Sequence, residues 1–166
     1  ELLLMLDAAK RASAKTVTAV IPYYGYARQD RKDQPRVPIS ARMILDLMDA
    51  AGVDRMITMD LHSPQIQGFT NVPLDNLYSR IALFNQLQDY NLNIDNGVVL
   101  APDIGSAKMS QSYAKKLGIG FALIDKRRPK HNVAEVVNLI GDLEDKHVFI
   151  IDDMIDTAGT ICNAAK

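Results

Sequence analysis

Near the carboxyl end the chain reads Asp152-Asp153-Met154-Ile155-Asp156-Thr157-Ala158-Gly159-Thr160, directly after an apolar run over residues 148–151. The small side chains of Ala158 and Gly159 leave backbone N–H groups uncovered, and Thr157 and Thr160 add hydroxyl donors. A turn of this kind, opening a helix, seats a monophosphate without needing a lysine. Asp152 and Asp153 are poor phosphate ligands but good acceptors for vicinal hydroxyls. Together they describe a site for a phosphorylated sugar. A lone acid before a helix reads more simply as a cap, and Asp156 or Thr157 can still be read that way. Two adjacent acids joined to this turn favour the ligand.

A second constellation is Asp60-Leu61-His62-Ser63-Pro64-Gln65-Ile66-Gln67-Gly68-Phe69, which sets a carboxylate and an imidazole two residues apart after another apolar run. Both could reach one divalent ion. Magnesium on a nucleotide needs few protein ligands and keeps several waters, although histidine is an unusual partner for so hard an ion. By spacing alone His62 reads as a structural residue. Two basic segments complete the set. Tyr23-Tyr24-Gly25-Tyr26-Ala27-Arg28-Gln29-Asp30-Arg31-Lys32 places cations beside aromatics, with Arg36 and Arg42 close behind. Arginine there can clamp phosphate oxygens or stack on a base, or the segment can simply be a solvated loop. Lys126-Arg127-Arg128-Pro129-Lys130 holds four cations in five residues, which repel one another unless anions arrive. A loop that orders over a triphosphate is a natural use of that sequence.

The elements that must position these residues are short apolar runs, each ending in a polar cluster: residues 17–21, 56–59, 98–101 and 148–151. Each predicts a buried strand. Helical patterns lie between them, the clearest being Ile39, Met43, Ile44, Leu47, Met48 and Ala51, with Pro38 near the start and Gly52 as the stop. Residues 77–89 and 106–117 are the next helices, and 136–140 reads as a further strand. Alternating strands and helices predict an α/β fold with parallel sheets and flanking helices, in which ligands sit beyond the carboxyl ends of the strands. Asp60, Asp103 and the pair Asp152-Asp153 all fall at such ends.

Composition narrows the field. Nineteen Lys and Arg against twenty Asp and Glu give a net charge of −1, so no general field draws nucleic acid or an anionic membrane. The single Cys162 cannot form an internal disulfide and reads as a small packing residue. No apolar run approaches the ~20 residues of a membrane span. A reducing, cytoplasmic setting fits best. Residues 1–9 read as a helix already under way and 162–166 stop inside a helical pattern, so the chain reads as a fragment.

The acid-and-turn segment is similar to the phosphoribosyl diphosphate-binding loop shared by phosphoribosyltransferases and ribose-phosphate diphosphokinases. The histidine string resembles the signature of the diphosphokinases, and four motifs in order extend that resemblance over nearly the whole chain. It implies transfer of the β,γ-diphosphate of magnesium ATP to the 1-hydroxyl of ribose 5-phosphate. It further implies ATP contacts at Arg28, Gln29 and His62, and magnesium contacts at His62 and Asp103 with Asp60 beside them. Lys126 and Arg128 would stabilise the transition state, and ribose 5-phosphate would meet Arg128, Asp152, Asp153, Asp156, Thr157, Ala158, Gly159 and Thr160. Residues 1–76 would end one phosphoribosyltransferase-like domain and 77–166 would begin a second, in a homo-hexamer or related homo-oligomer. Two departures from the family pattern stand out. Ser106 occupies a common glycine position, where it would crowd a phosphate or add a hydrogen bond, and Asn71 occupies a common aspartate position. The rival expectations are a phosphoribosyltransferase, which needs no ATP, and a non-catalytic regulatory relative.

Overall fold

A computed structural model describes residues 1–89, 96–127 and 136–166, with the side chains of 88, 89, 126, 127, 136 and 137 outside that description. The chain forms two compact units, Glu1–Ile81 and Ala82–Lys166.

In the first unit the order is α1 (Leu2–Arg11), β1 (Thr18–Ile21), α2 (Ser40–Ala50), β2 (Arg55–Met59), a 3₁₀ helix (Pro64–Phe69) and β3 (Leu74–Leu77). The three strands pair in parallel in the order β1-β2-β3. Strand β3 was not expected, because its Leu-Asp-Asn-Leu sequence has a polar middle and no β-branched residue. The 3₁₀ helix, with Pro64 at its first turn, is likewise new.

Helix α2 stops where the sequence places the stop. Gly52 takes φ +90° there, and a Cβ on it would come within 3.0 Å of the Lys10 side chain. The buried face is narrower than the apolar stripe. Ala41, Leu45 and Met48 are buried and Ile44 and Ala51 pack beside them, whereas Met43 and Leu47 face outward. One face of the sheet packs on this helix through Ala19 and Met56, with Leu6, Ile66 and Leu61 closing the core. Truncating Leu45, which is fully buried, to alanine is expected to cost about 2–5 kcal/mol.

The second unit contains most of α3 (Arg80–Asp89), then β4 (Gly97–Ala101), α4 (Ala107–Leu117), β5 (Gly120–Arg127), β6 (Val136–Ile140), β7 (His147–Ile150) and α5 (Gly159–Ala164). Its sheet runs β6-β5-β4-β7, with β4 parallel to both β5 and β7. Strand β4 is central, and Val98, Val99, Leu100 and Ala101 are all buried. Val99 faces Phe84, Tyr113 and Ala114, while Val98 and Leu100 face Ala122 and Ile124. Burial on both faces is why the run is apolar without alternation.

The parallel α/β reading holds, with one addition: β6 returns antiparallel to β5. Gly141 ends β6 at φ +115°, where a Cβ would lie 2.8 Å from that of Ala122, so this position needs glycine. Among the described residues no helix is long and apolar enough to cross a membrane.

Candidate functional site

In the first unit the loop between β1 and α2 is tied down before it reaches its cations. Tyr24 is buried, and its hydroxyl donates to the carbonyl oxygen of Ala41 at 2.7 Å. Burial, reinforced by the negative charge of Asp46, pushes the phenol up to about 12. The Ala27 amide donates to the Tyr24 carbonyl at 3.0 Å, and the Gln29 carbonyl accepts the Ala41 amide at 3.2 Å. Arg28 and Gln29 therefore emerge from a braced turn. Arg42 is engaged elsewhere, paired with Asp46 one helical turn on at 2.8 Å. Arg28 and Arg31 have no ion pair among the described residues.

The histidine segment comes to the same place. Arg28, Gln29 and His62 line one cavity of about 520 Å³, with Asp30, Arg31 and Gln65 also on its wall. Its size suits a nucleotide-sized ligand. Sequence reasoning passed over Asp30, Arg31, Ser63 and Gln65 as lining residues, although each stands inside a segment singled out for its neighbours. Asp60 has φ +46°, an unusual conformation that aspartate tolerates better than most residues. Its carboxylate accepts the Ser79 amide at 3.2 and 3.3 Å.

In the second unit β4 and β7 lie side by side with Leu100 opposite Ile150, so their carboxyl ends bring Asp103 and Asp152 to one edge. Asp103 Oδ1 accepts the Ser106 amide at 2.9 Å, and the Ser106 hydroxyl donates to the Asp103 carbonyl oxygen at 3.0 Å. Of the two expectations for Ser106, the hydrogen bond is the one realised, and it is spent inside the turn. Asp152 Oδ1 accepts the Asp153 amide at 2.9 Å. Its carboxyl titrates above the usual range, chiefly through burial and then through side-chain hydrogen bonding with Asp153, partly offset by the Asp153 amide, with the charges of Asp153 and Asp103 adding to the rise.

The turn at Asp156, Thr157, Ala158, Gly159 and Thr160 follows β7. Ala158 adopts φ +60°, and among the described residues no side chain caps α5. Thr157, Gly159 and Thr160 are exposed. Cys162 is exposed, which corrects its reading as a packing residue.

The basic segment begins later than expected, because β5 continues through Lys126 and Arg127, paired with Val137 and Val136. The Lys126 side chain and all of Arg128 lie outside the described residues. Among the described residues no three His, Cys, Asp or Glu side chains cluster as a metal site. Magnesium on a nucleotide asks for fewer, one or two carboxylates with water completing its shell. Asp103, with one oxygen held by the Ser106 amide, suits that donor set.

Comparison with known proteins gives a consistent set of relatives. Residues 1–52 match the family described as the N-terminal domain of ribose phosphate pyrophosphokinase, and residues 76–166 match the phosphoribosyl transferase domain. A ribose-phosphate pyrophosphokinase from Chlorobaculum tepidum is 57% identical over 166 residues, covering 100% of this chain and 51% of the relative. One from Clostridium perfringens is 55% identical over 167 residues, covering 100% of this chain and 52% of the relative. The crystal structure of phosphoribosylpyrophosphate synthetase from Mycobacterium smegmatis matches with a TM-score of 0.88 at 41% identity, over 98% of this chain and 52% of that one. The chain thus spans about half the length of the curated relatives it matches.

Proposed function

This chain belongs to the phosphoribosyl transferase domain family, and on that premise we propose that it is part of a ribose-phosphate diphosphokinase. The carrying observation is that Arg28 and Gln29 line one cavity of nucleotide size together with His62, which lies far from them in sequence. In the proposed reaction the 1-hydroxyl oxygen of ribose 5-phosphate attacks the β-phosphorus of ATP. The bond from that phosphorus to the oxygen bridging it to the α-phosphate breaks, the hydroxyl proton is released and AMP leaves. Such transfer depends on positioning and charge neutralisation rather than on a covalent protein nucleophile.

Arg28, Gln29 and His62 hold the nucleotide. Asp152 and Asp153 accept the ribose hydroxyls, which suits acceptor-only carboxylates at a strand end. Asp156, Thr157, Ala158, Gly159 and Thr160 receive the 5-phosphate. Lys126 and Arg128 set positive charge against the transferring group, with Arg128 also meeting the sugar phosphate. His62, Asp103 and Asp60 are the candidate magnesium-holding residues. When bound, the ion neutralises phosphate charge and orients the diphosphate. Residues 1–76 and 77–166 form parts of two domains of a cytoplasmic homo-oligomer, a hexamer or a related assembly, acting on ATP and ribose 5-phosphate and not on nucleic acid or membrane.

Phosphorus NMR of the full-length protein with ATP, magnesium and ribose 5-phosphate tests the reading. AMP with a ribose 1-diphosphate signal is expected. Release of ADP would mean γ-phosphoryl transfer and overturn it. Ligand binding without turnover would point to a regulatory relative, and consumption of phosphoribosyl diphosphate with a base to a transferase.

A further inference from the structure

The turn that carries His62 leaves β2 just past the end of its ladder. Met59 opposite Leu77 is the last paired position of β2 and β3, and the Asp60 amide still reaches the Leu77 carbonyl at 2.9 Å. The next amide, that of Leu61, has run beyond the strand and has no backbone partner there. It donates instead to the side-chain Oδ1 of Asn76 at 3.1 Å. Leu61 itself is buried, as is Ile66, so both ends of the segment that exposes His62, Pro64 and Gln65 are sunk in the core. The hydrogen bond fixes the Leu61 amide, which lies between Asp60, with its positive φ, and His62.

The same side chain is poorly used otherwise. Among the described residues the Asn76 Nδ2 atom is buried without a partner, and so is the hydroxyl of Thr58, its register partner on β2. Rotating the amide would set its NH₂ against the Leu61 N–H, two donors facing each other, so only the observed orientation serves the turn. A buried donor left unpaired is unfavourable. A leucine of similar size would remove it, and would also remove the acceptor.

We infer that Asn76 is a positioning residue, which acts through the Leu61 amide to aim His62 into the nucleotide cavity. The inference rests on the reading of His62 as a nucleotide contact. It gives Asn76 no contact with substrate.

The test uses the full-length protein with Asn76→Leu, Asn76→Asp and His62→Ala, and the double variant Asn76→Leu/His62→Ala. Steady-state kinetics are read for each substrate separately, with hydrogen exchange at the Leu61 amide. Asn76→Leu is expected to lower kcat/KM for ATP roughly 10- to 100-fold, as small misplacements do, with KM for ribose 5-phosphate unchanged. Asn76→Asp, which keeps the acceptor, recovers most of that loss. In the His62→Ala background Asn76→Leu adds nothing further. An additive loss, equal losses in both Asn76 variants, or unchanged exchange at the Leu61 amide in Asn76→Leu would each overturn the inference. If His62→Ala leaves ATP kinetics intact, the nucleotide reading of His62 fails. The exchange of the Leu61 amide then reports separately whether Asn76 holds the turn.

Discussion

The cavity of the first unit and the acid-and-turn segment of the second are both built at the carboxyl ends of parallel strands, yet they are held in opposite ways. Around the cavity, side chains reach out to backbone: Tyr24 to Ala41 and Asn76 to Leu61. Beyond β7 the side chains of the turn are exposed, and Ala158 sits in a left-handed conformation. A large ligand recognised by side chains needs those side chains aimed in advance. A phosphate recognised by backbone amides needs only that nothing cover them.

That contrast can be broken experimentally. The largest effect is expected outside both regions. On the proposed reaction, Lys126→Ala in the full-length protein should lower kcat by about 10²–10³-fold, the scale of losing one transition-state charge partner, and single-turnover rates would show whether the loss lies in chemistry.

The two regions should then separate by substrate. Arg28→Ala raises KM for ATP and Asp153→Ala raises KM for ribose 5-phosphate, each by about 10- to 100-fold as charge-assisted bonds are lost. A variant that moved both constants equally would end the comparison.

Asp152→Asn divides function from stability. Because the folded carboxyl titrates above its unfolded value, protonation favours the folded state. Its contribution is therefore most favourable in acid and is lost as pH rises through the raised folded value. At neutral pH the asparagine variant should be the more stable protein and the poorer enzyme, with the stability difference shrinking in acid. Urea midpoints across the carboxylate range check this.

Tyr24→Phe should cost about 1–2 kcal/mol by removing a buried hydrogen bond. Wild-type stability should also fall as pH rises from about 10, the unfolded phenol value, towards the folded value of about 12. The phenylalanine variant should lack that tyrosine component of the fall. The smallest effect is at the turn. Ala158→Gly relieves the left-handed conformation but loosens the unfolded chain, for a net gain under about 1 kcal/mol by thermal melts.

Much of this architecture was legible. Residues 98–101 announce a strand buried on both faces because four apolar residues in a row fit nothing else at that length, and Pro38 and Gly52 bracket α2. Asp60, Asp103 and Asp152 could be placed at strand ends for the same reason. What escaped depends on which segments become neighbours. Nothing in Leu74-Asp75-Asn76-Leu77 announces a strand until β2 lies beside it, and nothing in Asn76 announces a hydrogen bond to Leu61 before that register is known. The exposure of Met43 and Leu47 was hidden likewise, because an apolar stripe does not say how wide its covering will be. The basic run misled by composition: four cations suggested a loop, while the backbone extends the strand through Arg127.

The sheet of the first unit packs its helices on one side only. On its other side Val20, Met59 and Leu77 share a face and are 64%, 39% and 50% exposed. Prepared by itself, this polypeptide would carry an oily strip on its outside. It would glow with an apolar-binding dye such as ANS, lose material to vessel walls and clump as its concentration rises. Replacing Val20 with threonine is the mildest change that would make it easier to handle.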